Sequence, residues 1–125
     1  MSVQLRSLTG AFSGCTSLQY YIEGNLKYLG NTNNPYLYLA DVTSTSITSA
    51  TINENCKFIG SSAFYYCTSL TSVTIPDSVT SIGYGAFSNC DSLTSVTIGN
   101  SVTSIGSYAF RDCDSLTRLS ITNGQ

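Results

Sequence analysis

The sequence contains no histidine and no tryptophan, and only 10% of its 125 residues are charged. Without histidine, the side chain best suited to proton transfer near neutral pH is missing. Asp91-Ser92 and Asp114-Ser115 place a carboxylate beside a hydroxyl, but no lysine lies near in sequence to act as a base. Glu23 and Glu54 are isolated carboxylates, and Gly83-Tyr84-Gly85 lacks the third glycine and preceding strand of a phosphate loop. The expectation is a non-enzymatic protein without a cofactor. The net charge is −2, with no basic run, which argues against nucleic acid and anionic membranes as partners. Apolar runs are a few residues long, too short to insert into a bilayer. Ser2 to Gly10 carries no sustained apolar stretch of the kind a secretion signal needs. Five cysteines are present, but no Cys-x-x-Cys pair, so no metal site is expected.

What the chain does have is a repeat of twenty-three residues. Ile59-Gly60-Ser61-Ser62-Ala63-Phe64-Tyr65-Tyr66-Cys67-Thr68-Ser69-Leu70 returns from Ile82 to Leu93 and again from Ile105 to Leu116. A fixed period of this length marks a solenoid, in which one unit buries its apolar face only by stacking on its neighbours. After each block comes a Leu-x-x-Val-x-Ile spacing: Leu70, Val73, Ile75; Leu93, Val96, Ile98; Leu116, Leu119, Ile121. The alternation at Val-x-Ile predicts a short strand with one buried face. Ile47, Ala50 and Ile52 predict a fourth strand one period earlier. Asp77 and Asn100, beside Pro76 and Gly99, supply turn formers after two strands. The Ala-Phe-x-x-Cys segment is too short for an amphipathic helix and reads as one helical or 3₁₀ turn. Cys67, Cys90 and Cys113 share one repeat position, which Cys15 also fits, and Cys56 replaces Val79 and Val102. All read as small apolar core residues with free thiols.

These residues resemble the BspA-like leucine-rich repeats, whose units carry an Ile-Gly-x-x-Ala-Phe-x-x-Cys-x-x-Leu-x-x-Ile-x-Ile pattern. The match is close over 58–122, fair over 46–57 and fragmentary at Ala11, Phe12, Cys15 and Leu18. The resemblance implies a right-handed α/β solenoid of horseshoe form, with one short parallel strand and one helical or 3₁₀ turn per repeat. It also implies an extracellular or cell-surface setting and a protein partner, such as a host or matrix protein.

The chain reads as one repeat domain: a partial repeat over 1–18, an inserted tyrosine-rich hairpin over 19–40, a partial repeat over 41–57 and about three regular repeats over 58–125. It opens near an Ala-Phe-x-x-Cys segment and stops just after Ile121, which suggests an excerpt of a longer protein. A last strand centred on Leu119 and Ile121 is then expected to be exposed and prone to self-association. In the insertion, Leu26 to Leu29 and Tyr36 to Leu39 read as strands joined by Gly30-Asn31-Thr32-Asn33-Asn34-Pro35.

Two surfaces are candidates for partner binding. On the strand face, Ser72, Thr74, Ser95, Thr97 and Arg118 fall in columns pointing away from the core. The plain alternative is a solvated surface of good strand formers. On the hairpin, Tyr20, Tyr21, Tyr28, Tyr36 and Tyr38 offer large contact area with a polar tip. The plain alternative is a lid that closes the end of the solenoid. Tyr65, Tyr66, Tyr84 and Tyr108 are expected to decorate the convex side. The function read from these features is a protein-interaction or adhesion module. A structural spacer and a glycan-binding module are the alternatives.

Overall fold

The computed structural model describes residues 20–122. The partial repeat expected over 1–18 lies outside them. Ten strands form: β1 Tyr21–Glu23, β2 Leu26–Leu29, β3 Tyr38–Val42, β4 Ser49–Thr51, β5 Phe58–Ile59, β6 Ser72–Ile75, β7 Ser81–Ile82, β8 Ser95–Gly99, β9 Ser104–Ile105 and β10 Arg118–Thr122. Strands β4, β6, β8 and β10 make one parallel sheet. Its register is the repeat itself, so Ser49, Ser72, Ser95 and Arg118 stand in one column. A second sheet runs β1-β2-β3-β5-β7-β9.

Each regular repeat therefore contributes two strands, one more than the sequence pattern implies. The extra strand ends at the isoleucine of Ile-Gly, and Ile59, Ile82 and Ile105 pair across neighbouring rungs. The glycine that follows is needed for close approach. A Cβ on Gly83 would lie 2.7 Å from the Ser61 amide nitrogen, and one on Gly106 would lie 2.5 Å from that of Tyr84. Both obstacles are backbone atoms and cannot rotate away.

The expected helical or 3₁₀ turn is not formed, and no helix occurs among the described residues. The segment is a run of tight turns whose N–H groups alternate between two uses. Those of Ala63, Tyr65 and Cys67 donate three residues back, to Gly60, Ser62 and Phe64 at 3.3, 3.1 and 3.2 Å. Those of Ser62, Phe64 and Tyr66 donate across to Tyr84, Ala86 and Ser88 of the next rung at 3.0, 2.7 and 3.0 Å. A helix would consume every N–H internally. Here half of them knit the stack together, and the chain must twist to aim them. Ser62, Tyr66, Asn89, Tyr108 and Asp112 accordingly have φ between 58° and 63°.

One core runs through the stack. Phe64 and Phe87 are stacked at 4.7 Å with ring planes 7° apart, and Phe87 and Phe110 at 5.3 Å and 7°. Ile59, Cys67, Leu70, Val73 and Ile75 are buried with their counterparts in the next unit, and Val79 is buried over a partly buried Val102. Threonines seal the corner before the longer strands. Thr71, Thr94 and Thr117 each use both N–H and Oγ1 on the carbonyl of the threonine one period earlier. Part of the Ser/Thr richness is thus structural.

The hairpin is present as β2 and β3, but its second strand starts at Tyr38 and continues to Val42. A turn at Gly24 (φ 62°) adds β1 as a third antiparallel strand. Leucines and tyrosines share faces between the paired strands. A register shift sets Tyr28 opposite Leu39 and Leu29 opposite Tyr38. Leu26, Tyr28, Leu39 and Val42 join the main core, while Leu29, Tyr38 and Ala40 form a second cluster with Leu37 and Phe58. Both faces are occupied.

Candidate functional site

The strand-face columns form as the alternation requires. In β6, Val73 and Ile75 are buried while Ser72 and Thr74 are exposed. One rung along, Ser95 and Thr97 are half-buried, and Arg118 is exposed on β10. This face is flat, and its side chains are short and uncharged up to Arg118. It offers hydrogen bonding but no aromatic anchor.

The hairpin tyrosines divide. Tyr28 and Tyr38 are core residues, 0% and 1% exposed, and cannot contact a partner. The Tyr28 hydroxyl accepts the Asn53 N–H at 2.9 Å. Burial pushes both phenols up to about 12. Tyr36 is half-buried, edge-on to Tyr21 at 5.1 Å and to Tyr28 at 5.3 Å. Its hydroxyl donates to Glu23 Oε2 at 3.3 Å. Hydrogen bonding with Tyr21 and partial desolvation also raise its phenol to about 12. Tyr20 and Tyr21 are exposed, with the Lys27 ammonium 5.5 Å from the Tyr20 ring centre. The hairpin also closes the first rung. Asn25 Nδ2 donates to the Ser49 carbonyl at 2.9 Å, and Asn53 Nδ2 donates to Glu23 Oε1 at 3.0 Å. These contacts are those of a cap.

A depression lies on the tight-turn face, away from both expected surfaces. It is a groove of about 490 Å³ lined by Ser62, Tyr65, Tyr66, Tyr84, Gly85, Ser88, Asn89, Tyr108, Arg111 and Asp112. Its origin can be read column by column. One outward position holds Tyr65, Ser88 and Arg111 in successive rungs, and another holds Ser62, Gly85 and Tyr108. The middle rung has Ser88 between Tyr65 and Arg111, and Gly85 beside Tyr108, so a notch opens there. Tyr65 and Tyr66 wall one side, edge to face at 4.5 Å. Tyr84 and Tyr108 wall the other at 5.5 Å. All four rings are about half-exposed. The Arg111 guanidinium lies 4.8 Å from the Tyr108 ring centre, and its Nε is 3.6 Å from Asp112 Oδ2. An exposed pair of this kind adds little stability but orients both charges. On the floor, buried Ser88 donates through Oγ to Asn89 Oδ1 at 3.0 Å.

Two of the wall tyrosines are held in an unfavourable backbone conformation. Tyr66 and Tyr108 both have φ of 61°. At the same two repeat positions the middle rung uses Asn89 (φ 63°) and Gly85 (φ 60°), the residue types that tolerate this conformation best. A bulky residue there costs of order 1–3 kcal/mol, and such strain clusters at binding sites. The sequence reading placed these tyrosines on the turn side but missed the notch. The signal was available in the small residues Gly85 and Ser88.

Thiol reactivity is suppressed at Cys56, Cys67 and Cys90, whereas hydrogen bonding with Cys90 lowers the Cys113 thiol. Cys56, Cys67, Cys90 and Cys113 are free thiols. Cys90 Sγ donates to the Phe64 carbonyl at 3.2 Å, and Cys113 Sγ to that of Phe87 at 3.0 Å. Burial raises the Cys56 thiol to about 12 and the Cys67 thiol to about 11. The neighbouring Cys113 thiol and burial raise Cys90 as well. Such thiols are poor nucleophiles.

The family model for the BspA type leucine rich repeat region matches residues 42–125 in six copies. No functionally curated protein matches the chain. Among solved structures, the chain is similar to a leucine rich cell surface protein from Faecalibacterium prausnitzii, with 32% identity and a TM-score of 0.68. That match covers 84% of this chain and 33% of the other, so the chain spans about a third of that protein. It also matches a leucine-rich repeat protein from Bacteroides ovatus, with 24% identity over 83% of this chain and 39% of the other, at a TM-score of 0.49.

Proposed function

Because the chain belongs to the BspA-type leucine-rich-repeat family, we propose that it is a non-enzymatic protein-interaction module whose contact surface is the tight-turn groove. The observation that carries this reading is the groove's residue set. Tyrosine, serine, glycine, asparagine and arginine are the types that dominate antibody-like recognition surfaces. Tyrosine and arginine are also favoured at binding hot spots, and here they stand on a backbone fixed by inter-rung hydrogen bonds. Two strained tyrosines support the reading, since backbone strain of this kind clusters at binding sites. The exposed sites Tyr20 and Tyr21 and the columns Ser72, Thr74, Ser95, Thr97 and Arg118 form a peripheral surface in this proposal. The similar cell-surface protein supports a cell-surface setting for this module.

The test is to pan a library of displayed peptides and small domains against the whole chain and against Gly85→Tyr. The Gly85 Cβ position has ordinary contacts, 3.8 Å to Ser62 Oγ and 3.9 Å to Ser88 Cβ, and the matching position already holds Tyr108. The substitution therefore fills the notch. Clones that bind the wild-type chain and lose the variant are expected. Clones indifferent to the variant, or none at all, would contradict the proposal.

A further inference from the structure

We infer that Cys90 and Cys113 form a site of oxidative modification, at which a peroxide joins them as a disulfide and ties two neighbouring rungs together. The groove plays no part in it. Cys90 and Cys113 hold the same place in successive repeats. Around them the two rungs are in register. Phe87 stacks on Phe110 at 5.3 Å, and Ser95 pairs with Arg118. The Phe87 and Asn89 N–H groups donate to the Ala109 and Arg111 carbonyls at 2.7 and 2.8 Å. This register sets the two cysteine Cα atoms one rung apart, roughly 4.8 Å, inside the range of about 4.4–6.8 Å that a disulfide spans. The sulfurs also meet. Cys113 Sγ reaches back into the Cys90 rung, where it donates to the Phe87 carbonyl at 3.0 Å, and the two thiols hydrogen-bond with each other.

The pair is asymmetric, which sets the order of steps. Cys90 is fully buried, whereas Cys113 is only partly buried and open to a small oxidant. Hydrogen bonding with Cys90 lowers the Cys113 thiol, which favours its thiolate. Asp114 and Asp91 act on Cys113 from the same corner, so an uncharged oxidant is favoured over an anionic disulfide. The Cys113 thiolate attacks hydrogen peroxide. An S–O bond forms, the O–O bond breaks, and the released hydroxide takes up the thiol proton as water. Cys113 is now a sulfenic acid. The Cys90 sulfur then attacks the Cys113 sulfur. The S–S bond forms, the S–O bond breaks, and hydroxide leaves with the Cys90 proton as a second water. Two thiols have lost two electrons and two protons to one peroxide. Cys67 cannot replace Cys90, because it is fully buried and lies two rungs from Cys113. The bond would close the loop from Cys90 to Cys113 and hold the rung of β10 to the rung of β8.

The experiment treats the whole reduced chain, kept dilute, with stoichiometric hydrogen peroxide. Free thiols are then alkylated, and tryptic fragments are mapped by mass spectrometry. Cleavage after Lys57, Arg111 and Arg118 puts Cys67 and Cys90 on one fragment and Cys113 on another. A cross-link between these two fragments is expected, reversed by dithiothreitol. The oxidised chain should melt several degrees above the reduced one. Cys67→Ala should keep the cross-link, and its fragment then holds only Cys90. Cys90→Ala should abolish the cross-link and leave Cys113 as a sulfenic acid that dimedone captures. Circular dichroism confirms that each variant is folded, and Cys67→Ala alone decides the assignment if Cys90→Ala is not. In urea the selectivity for this pair should disappear. Oxidation of Cys113 without the cross-link, loss of the cross-link in Cys67→Ala, or native pairing as mixed as that in urea would overturn the site. A melting temperature unchanged or lowered by oxidation would overturn the tie between rungs.

Discussion

The two limits of the described rung stack differ. At the first rung, the antiparallel strands β1 to β3 extend the shorter-strand sheet, and Leu26, Tyr28, Leu39 and Val42 close the core. Asn25 and Asn53 then satisfy polar groups at the margin. At the other limit of the described residues nothing comparable is present. Ile105, Leu119 and Ile121 are 49%, 54% and 58% exposed, and Phe110, Leu116 and Val102 are only partly buried. The same repeat thus yields a closed face and an open one. The difference is what a fold stabilised by interfaces between rungs leads one to expect. We propose that the open face, with the edge of β10, is where self-association of the isolated chain occurs.

Core truncation should give the largest contrast. Phe87 is fully buried between two stacked rings, so Phe87→Ala should cost about 3–5 kcal/mol in chemical denaturation. Phe110→Ala, stacked on one described ring and partly buried, should cost about half as much. Equal losses would erase the distinction between interior and end. At the closed end, Tyr28→Ser should cost about 3 kcal/mol, because it removes a fully buried ring and the acceptor for the Asn53 N–H. If Tyr28→Ser melts like the wild-type chain, the hairpin is not a cap.

Alkali attacks the same end. The folded-state phenols of Tyr28 and Tyr38 lie at about 12, above the ordinary value near 10. Their stabilisation is complete below pH 10 and is lost as pH rises from 10 to 12. Absorbance titration should show these phenols ionising near pH 12, together with loss of β-sheet circular dichroism. Ionisation at pH 10 with the fold intact would contradict their burial.

Smaller effects sharpen the picture. Light scattering should show concentration-dependent association that Leu119→Lys reduces. An unchanged profile would remove the open face from the account. Tyr66→Asn, which copies the residue at Asn89, should raise stability by up to about 1 kcal/mol by relieving backbone strain. A loss of stability would mean that the tyrosine ring is held by contacts worth more than the strain.

Much of this architecture is written in the spacing of apolar residues. Leu70, Val73 and Ile75 and their successors specify the longer strands, their inward faces and the in-register columns, because burial imposes a period that side chains record. Hydrogen bonds between rungs leave a weaker trace. Nothing in Ala-Phe-x-x-Cys says that alternate N–H groups leave the segment, so a helical turn was a natural reading. The glycines at Gly83, Gly99 and Gly106, and the threonine column from Thr48 to Thr117, betray close backbone contact between rungs. The hairpin tyrosines show another limit. Tyr28 and Tyr36 look equivalent in sequence, yet Tyr28 lies within β2 and is buried, while Tyr36 precedes β3 and stays half-buried. The groove was legible only by comparing columns, since what forms it is the smallness of Gly85 and Ser88.

Residue-resolved amide hydrogen exchange on dilute protein tests the central claim most directly. If rungs are held by their neighbours, the N–H groups of Phe64 and Phe87, which cross to the next rung, should be as protected as those of β6 and β8, with protection falling toward β10. Rapid exchange at Phe64 and Phe87, or protection at β10 equal to that at β6, would contradict it.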